Sequence, residues 1–201
     1  DIILKVSPPN ENEIDMMKYK QILFSALQLT VQPKSALKKL MEKKITAIAW
    51  DYIEDESGSF PLIRSMGEIA GTTSVLIAAE LMSNANSGKG LMLGGVAGIT
   101  PPEMVIIGAG TVGQFAASSA LALGVSVKVF DNSLFKLRRL QNEIGHKVFT
   151  SVIQPKVLEK ALMRCDVAIG ALRVPHGRTP CVVSEGMVEN MKSGSVIVDV
   201  S

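Results

Sequence analysis

The chain has 201 residues, of which 47% are hydrophobic and 20% are charged, and its formal net charge is +2. This composition is typical of a globular α/β protein and excludes a disordered one. The small net charge, carried by scattered lysines and arginines, argues against a nucleic-acid partner, and no apolar run approaches the roughly 20 residues that span a membrane.

The first quarter of the chain alternates between predicted strands and helices. Strands are expected over residues 1–6, 21–29 and 45–53, and helices over residues 11–18 and 34–44. In the second helix Leu37, Leu40 and Met41 are expected to share one apolar face. The β-α-β-α-β order predicts a parallel sheet. Because a sheet rarely begins at the first residue of a chain, we expect only part of an N-terminal domain here.

A polar loop over residues 55–59 predicts a domain boundary, and a long helix is expected over residues 64–82. A set of mostly apolar residues recurs along this helix at helical spacing: Met66, Ile69, Ala70, Thr73, Leu76 and Ile77. A second set of small residues would let another backbone approach closely: Ala70, Gly71, Ser74 and Ala78. We interpret the helix as a connection packed between two domains, which are predicted over residues 1–62 and 63–201.

The most informative segment is a glycine pattern between a strand and a helix. An apolar strand over residues 105–107 leads into Gly108-Ala109-Gly110-Thr111-Val112-Gly113. In a dinucleotide-binding turn, the first glycine allows the tight turn, the second lets a pyrophosphate approach, and the third lets helix and strand pack closely. The helix N-terminus then offers N–H groups to phosphate. The alternative is a glycine turn with a purely structural role.

A second strand ends in Asp131, which lies 23 positions after Gly108. At about this spacing a carboxylate reaches the ribose hydroxyls of a bound adenosine. Asp131 would repel a 2′-phosphate, and Asn132 and Ser133 supply no cation beside it. The sequence therefore predicts NAD, not NADP, as the cofactor. The alternative role for Asp131 is to cap the following helix.

The remaining elements continue a parallel α/β domain. Helices are expected over residues 134–144 and 158–164 and from Ser184 to Gly194, and strands over residues 146–149, 166–171 and 195–200. Ala171 and Leu172 are expected at the cofactor, because ligands lie beyond the carboxyl ends of parallel strands. Arg173 and residues 174–178 follow them, and form either part of the same cleft or an ordinary basic surface loop. The predicted fold is α/β with two Rossmann-like parallel-sheet domains, the N-terminal one only partly present.

Cysteine and histidine usage limits the other kinds of site. Cys165 and Cys181 have no ligand pattern near them, which predicts free thiols in a reducing cytoplasm. His146 and His176 are the only histidines, so no multi-histidine metal site is expected.

Motifs along nearly the whole chain resemble the alanine dehydrogenase and transhydrogenase α-subunit family, on the alanine dehydrogenase side. The resembling segments are residues 1–6, 44–49, 66–71, 90–96, 105–113, Asp131 with 136–138, 166–171 and 192–199. The resemblance implies two Rossmann-like domains with a cleft between them and NAD bound by the second, with Lys136 near Asp131 in the cofactor site. It also implies an amino-acid or keto-acid substrate and assembly into a homo-oligomer.

The dehydrogenase branch oxidises L-alanine to pyruvate and ammonia and passes a hydride to NAD, using a lysine, a histidine and an aspartate. By this resemblance the lysine position holds Ser7, the histidine position holds Gln28, and the aspartate would lie just beyond Ser201. Ser7 offers a neutral hydrogen bond, and Gln28 cannot transfer a proton near pH 7. The catalytic residues therefore stay unassigned, with Lys5, Lys20 or an upstream arginine as substitutes for the missing cation. A transhydrogenase-type subunit and a non-catalytic NAD-binding protein are the alternatives.

Overall fold

The computed structural model describes residues 1–29, 31–56, 59–173 and 180–201. The chain divides into two compact units, Asp1–Met66 and Gly67–Ser201. Each unit contains one parallel sheet, of three and five strands respectively, so the predicted α/β class with two parallel sheets is confirmed. No helix in the described ranges is long and apolar enough to cross a membrane.

The first unit is a three-stranded parallel sheet in the order β1-β2-β3. Its elements are β1 (Ile2–Lys5), α1 (Glu11–Met16), β2 (Ile22–Ser25), α2 (Lys34–Glu42) and β3 (Thr46–Ala49). The two helices pack on one face of the sheet around Leu23, together with Ile14 and Leu40. Met41 was expected on the buried face of α2 but is 76% exposed. Ala36 and Leu40, which are four residues apart on α2, provide the buried contacts instead.

Two predicted strands end earlier than their apolar patterns suggested. β2 stops at Ser25 and not at residue 29, and β3 stops at Ala49, where a short 3₁₀ turn over Trp50–Tyr52 begins. The cause is a side chain: Asp51 in this turn binds backbone N–H groups after β2. Both segments therefore leave the sheet at the same edge.

The long helix α3 covers Pro61–Met82 and begins three residues before the predicted start. The residues noted at helical spacing along it are not the ones that are buried. Ile69 and Leu76 are 67% and 59% exposed. The residues of α3 that are buried are Gly71, Ser74, Val75, Ala78 and Met82. A Cβ on Gly71 would overlap the carbonyl oxygen of Val112, so only glycine permits this close approach. The expectation that the small residues admit another backbone is thus confirmed.

The second unit contains a five-stranded parallel sheet in the order β6-β5-β4-β7-β8. Its strands are β4 (Glu103–Ile107), β5 (Ser126–Phe130), β6 (Phe149–Ser151), β7 (Val167–Gly170) and β8 (Val196–Asp199). Its helices after α3 are α4 (Thr111–Ala122), α5 (Leu134–Ile144), α6 (Pro155–Leu162) and α7 (Glu185–Glu189). Buried clusters lie on both faces of the sheet. The strand order changes direction at β4. The carboxyl ends of β4 and β7 therefore form the switch point where ligands bind in such folds.

Element boundaries in the second unit differ from the predictions in three places. The strand expected over residues 146–149 forms later, as β6, because Gly145 ends α5 in a left-handed conformation and a loop follows. α6 begins at Pro155 instead of residue 158, since proline is well suited to the first helical position. α7 ends at Glu189, five residues before Gly194.

Candidate functional site

The glycine pattern forms the turn between β4 and α4, and two of its glycines are required by packing. Gly108 has φ +119°, and a Cβ on it would overlap the carbonyl oxygen of Ala171. A Cβ on Gly113 would overlap the carbonyl oxygen of Gly108. These two positions therefore hold the turn closed against β7 and hold α4 close to the turn.

Gly110 differs from Gly108 and Gly113 because packing does not require a glycine there. Its φ is −76°, a value that any residue adopts, and it directly precedes α4. Apart from Gly110 itself and its two chain neighbours, the described residues place no atom within 4 Å of a Cβ built on it. The N–H groups at the start of α4, from Thr111 to Gly113, have no acceptor within the helix. Within the part of the chain that the structure describes, the space over Gly110 is thus open, and it lies at the positive end of a helix dipole.

Asp131 connects the end of β5 to the glycine turn. Its carboxylate is buried, with the residue 6% exposed. Oδ2 accepts the N–H of Ala109 at 2.8 Å, and Oδ1 accepts the N–H of Ser133 at 2.7 Å. The cap of α5 is Ser133, whose hydroxyl accepts the N–H of Lys136, so Asp131 does not have the capping role considered as its alternative.

The other sequence-predicted cofactor residues lie around the same sheet edge. The N–H of Ala171 binds the carbonyl of Ile107 at 2.8 Å, which places Ala171 directly beside the glycine turn. Leu172 is half-buried against the core between the sheet and α6. Lys136 is half-buried in the first turn of α5. Arg173 is exposed, and residues 174–178 of the loop lie outside the described residues.

A second group of polar residues lies at the carboxyl edge of the first sheet. Ser7 follows β1, and its hydroxyl accepts a hydrogen bond from Lys5 Nζ at 3.3 Å. The same ammonium lies 3.0 Å from a carboxylate oxygen of Glu13. Ser25, at the end of β2, donates its hydroxyl to the carbonyl of Ser7 at 2.9 Å. The backbone N–H of Asn10 and the Lys5 ammonium hold the pKa of Glu13 below its ordinary value.

Gln28 lies at the same edge and has a left-handed backbone with φ +45°. The N–H groups of Leu27 and Gln28 each donate to one carboxylate oxygen of Asp51, both at 2.9 Å. Asp51 was missed from the sequence because residues 45–53 were interpreted as one strand. The available signal was an acidic residue directly beyond the carboxyl end of a parallel strand.

Lys20 does not join this group. It precedes β2, at the amino edge of the sheet, and its N–H donates to the carbonyl of Lys43. Its ammonium lies over the ring of Tyr19, 5.8 Å from the centroid. Lys5 is therefore the only one of the two proposed substitute lysines that reaches Ser7.

The amino edge of the second sheet carries a charge network around the buried Asp166. Asp166 Oδ1 accepts hydrogen bonds from Lys89 and Lys192 at 2.9 and 3.0 Å, and Oδ2 accepts the N–H of Glu103. Burial alone would raise the pKa of Asp166, but the Glu103 N–H and the two ammonium groups outweigh it and lower that pKa. The network connects the start of β4 and β7 to the loop after α3.

We expect the Asp166→Asn variant to lose about 2 kcal/mol of unfolding free energy at pH 7, because charged hydrogen bonds are lost. Because folding lowers the pKa of this carboxyl, its charge stabilises the folded chain at every pH above the ordinary pKa of roughly 4. This stabilisation is lost as the pH falls through the pKa of the folded state. The difference from wild type should therefore vanish in stronger acid. Urea unfolding of both proteins at several pH values measures this difference in unfolding free energy. Glu189→Gln, on the exposed end of α7, is the control. A difference that stays constant into acid would contradict this role.

The two cysteines differ in burial, and within the described ranges no cluster of three or more potential metal ligands occurs. Burial, with a smaller contribution from Asp166, raises the pKa of the Cys165 thiol to about 12, so this thiol is unreactive at neutral pH. Cys181 is exposed and also free.

Two family profiles match nearly the entire chain. "Alanine dehydrogenase/PNT, N-terminal domain" matches residues 1–70, and "Alanine dehydrogenase/PNT, C-terminal domain" matches residues 74–201. The chain therefore belongs to the alanine dehydrogenase/PNT family, which confirms the resemblance inferred from its motifs.

Individual relatives agree with this assignment. The chain is 39% identical over its full length to the alanine dehydrogenase of Methanococcus maripaludis and 35% identical to that of Mycobacterium tuberculosis. It spans about half the length of these curated relatives, 54% in both cases. A solved L-alanine dehydrogenase, 38% identical, superposes with a TM-score of 0.88 and covers 97% of this chain and 54% of its own. A Sinorhizobium meliloti transhydrogenase structure, 21% identical with a TM-score of 0.82 over 98% of this chain and 57% of its own, shares the fold.

Proposed function

We propose that this chain is part of an NAD-dependent L-alanine dehydrogenase. Residues 63–201 form its NAD-binding domain, and residues 1–62 form part of its substrate domain. The observation that carries the proposal is the open space over Gly110 at the N-terminus of α4, within a turn whose other two glycines have packing roles. Homology to alanine dehydrogenases supports the reaction.

The residues at the edge of β4, β5 and β7 fit the chemistry of a dinucleotide. The N–H groups from Gly110 to Gly113 can donate to pyrophosphate oxygens, and the missing Cβ at Gly110 leaves room for them. Asp131 is fixed by two backbone N–H groups and has acceptor capacity left for ribose hydroxyls. Lys136, Ala171 and Leu172 complete the proposed contacts. When bound, NAD supplies the acceptor for the substrate's hydride.

The substrate side is proposed at the carboxyl edge of the first sheet, where a small amino acid or keto acid would bind. Ser7 can donate one neutral hydrogen bond to a carboxylate, and Gln28 can donate and accept hydrogen bonds without transferring a proton. Lys5 places a cation beside Ser7, but Glu13 neutralises part of its charge. We therefore propose a substrate site that is unusual for the family, with Ser7 and Gln28 at the positions of the lysine and the histidine. We also propose that the protein assembles as a homo-oligomer, as the resemblance implies.

The cofactor assignment predicts a clear preference for NAD over NADP. At about 4 Å and an effective dielectric near 20, a unit charge pair between Asp131 and a 2′-phosphate repels by up to about 4 kcal/mol. A third of this energy corresponds to about a tenfold difference in affinity. Titration of the chain with each cofactor should give a Kd at least about tenfold lower for NAD than for NADP. Asp131→Asn should reduce the ratio of these two Kd values. Equal affinities for the two cofactors would contradict the assignment.

The reaction is tested by following NAD reduction by the full-length protein with L-alanine as the substrate. Alanine-dependent formation of NADH is expected. Hydride transfer between NADPH and NAD without any use of alanine would instead favour a transhydrogenase-type subunit. NAD binding with neither activity would favour a non-catalytic protein.

A further inference from the structure

The first sheet contains a device that fixes the backbone beyond β2. The Asp51 carboxylate uses one oxygen for the N–H of Leu27 and the other for the N–H of Gln28, both at 2.9 Å. The acceptor follows β3, and the two donors follow β2. The ends of two neighbouring strands are thus joined by one side chain, and Leu27 is buried in the core beneath this connection.

The connection holds Gln28 in a conformation that residues other than glycine rarely adopt, with φ +45°. Its carbonyl accepts the N–H groups of Val31 and Gln32 at 2.9 and 3.2 Å. Both polar groups of the Gln28 backbone are therefore engaged. Rare backbone conformations persist where the surrounding structure determines them, and they concentrate at functional sites.

A role in chain reversal alone would not require this residue. Glycine would adopt the same φ without strain, and asparagine would tolerate it better than glutamine. The chain instead presents a long carboxamide that is exposed at the carboxyl edge of the sheet, where Ser25 and Ser7 are also joined. The device therefore orients a polar side chain at the edge where parallel sheets bind ligands.

We propose that Asp51 is a positioning residue of the substrate site: it sets the backbone of Gln28 so that the Gln28 carboxamide donates a hydrogen bond to the carboxylate of the amino or keto acid. This inference rests on the proposed dehydrogenase function. Asp51 itself does not touch the substrate and acts only through Gln28.

A double-mutant cycle in the full-length protein tests the proposal. Asp51→Asn replaces one acceptor with an amide NH₂ group, which cannot accept a backbone N–H. We expect it to raise the KM for L-alanine at least about tenfold, while the Kd for NAD stays unchanged and Asp51→Glu restores part of the loss. In a Gln28→Ala background, Asp51→Asn should change the KM less than about twofold. Asp15→Asn, which removes a carboxylate that pairs with Lys39 on the helices of the same unit, is the matched control and should leave the KM unchanged.

Gln28→Asn keeps the inference testable if the Asp51 variants do not fold. Asparagine accepts the left-handed backbone but shortens the carboxamide by one methylene, so the KM should rise with no loss of melting temperature. A wild-type KM for Gln28→Asn, or an Asp51→Asn effect of equal size with and without Gln28, would overturn the positioning role. Absence of alanine turnover in the wild type would overturn the proposed function and this inference with it, whereas turnover with an additive cycle would overturn the inference alone.

Discussion

Gly110→Ala should lower the affinity of the chain for NAD at least about tenfold and leave its melting temperature unchanged. The added Cβ meets no atom of the described residues beyond its two chain neighbours, and the Gly110 φ of −76° suits alanine, so the fold has no reason to change. The same Cβ would occupy the space that a pyrophosphate needs to reach the N–H groups of α4. Losing one charged hydrogen bond costs about 1.5–3 kcal/mol, which is tenfold or more in Kd.

The other glycines of the chain provide the controls. Gly108→Ala and Gly113→Ala should lose folding stability first, because their Cβ atoms overlap backbone carbonyl oxygens. Gly186→Ala, on α7, also adds a Cβ in open space and should change neither NAD affinity nor folding by a large amount. Normal NAD binding by a stable Gly110→Ala protein would show that the pyrophosphate does not bind over Gly110. Isothermal titration and thermal unfolding of the four variants separate these outcomes.

Converting Ser7 to Lys and Gln28 to His together should raise alanine turnover by the full-length protein, with a gain of about 10²-fold or more. The family pattern has a cation and a proton-transferring group at these positions, and the loss of a general acid–base group typically costs 10²–10⁴ in rate. Both positions lie at the carboxyl edge of the first sheet. Wild-type turnover should therefore be low. kcat and KM for L-alanine, measured for the wild type, both single variants and the double variant, check the expectation.

Lys5 supplies the control for this experiment, because its ammonium reaches the Ser7 hydroxyl. If Lys5 partly replaces the missing cation, Lys5→Met should reduce wild-type turnover further but have little effect once Ser7→Lys is present. Lys20→Met, at the opposite edge of the sheet, should have no effect in either background. High wild-type activity that the double change leaves untouched would show that Ser7 and Gln28 already serve the reaction well.

The parts of the fold that local chemistry determines could be predicted from the sequence. The order of strands and helices follows from apolar periodicity and turn residues, and the glycine turn follows from backbone constraints at Gly108 and Gly113 that act within a few residues. The buried face of α3 could not be obtained in this way. Periodicity identifies the most apolar face, here with Ile69 and Leu76, but close packing against α4 selects the face that contains Gly71.

The candidate site shows the same division between local and distant causes. Asp131 was found because its spacing from the glycine turn is set by one βαβ unit. Asp51 was missed because its partners, Leu27 and Gln28, are more than 20 residues away in sequence. A side chain that ends two strands at once produces no local pattern, so the apolar runs around it were predicted to continue as strands.

The proposed function requires that the full-length protein moves a hydride from an amino acid to NAD. The most direct measurement uses full-length protein with NAD and L-alanine that carries deuterium on its α-carbon. We expect that the Cα–D bond breaks, that deuterium appears at C4 of the nicotinamide in the NADH formed, and that pyruvate and ammonia form in equal amount. NADH without deuterium, or no NADH while NAD is bound, would contradict it.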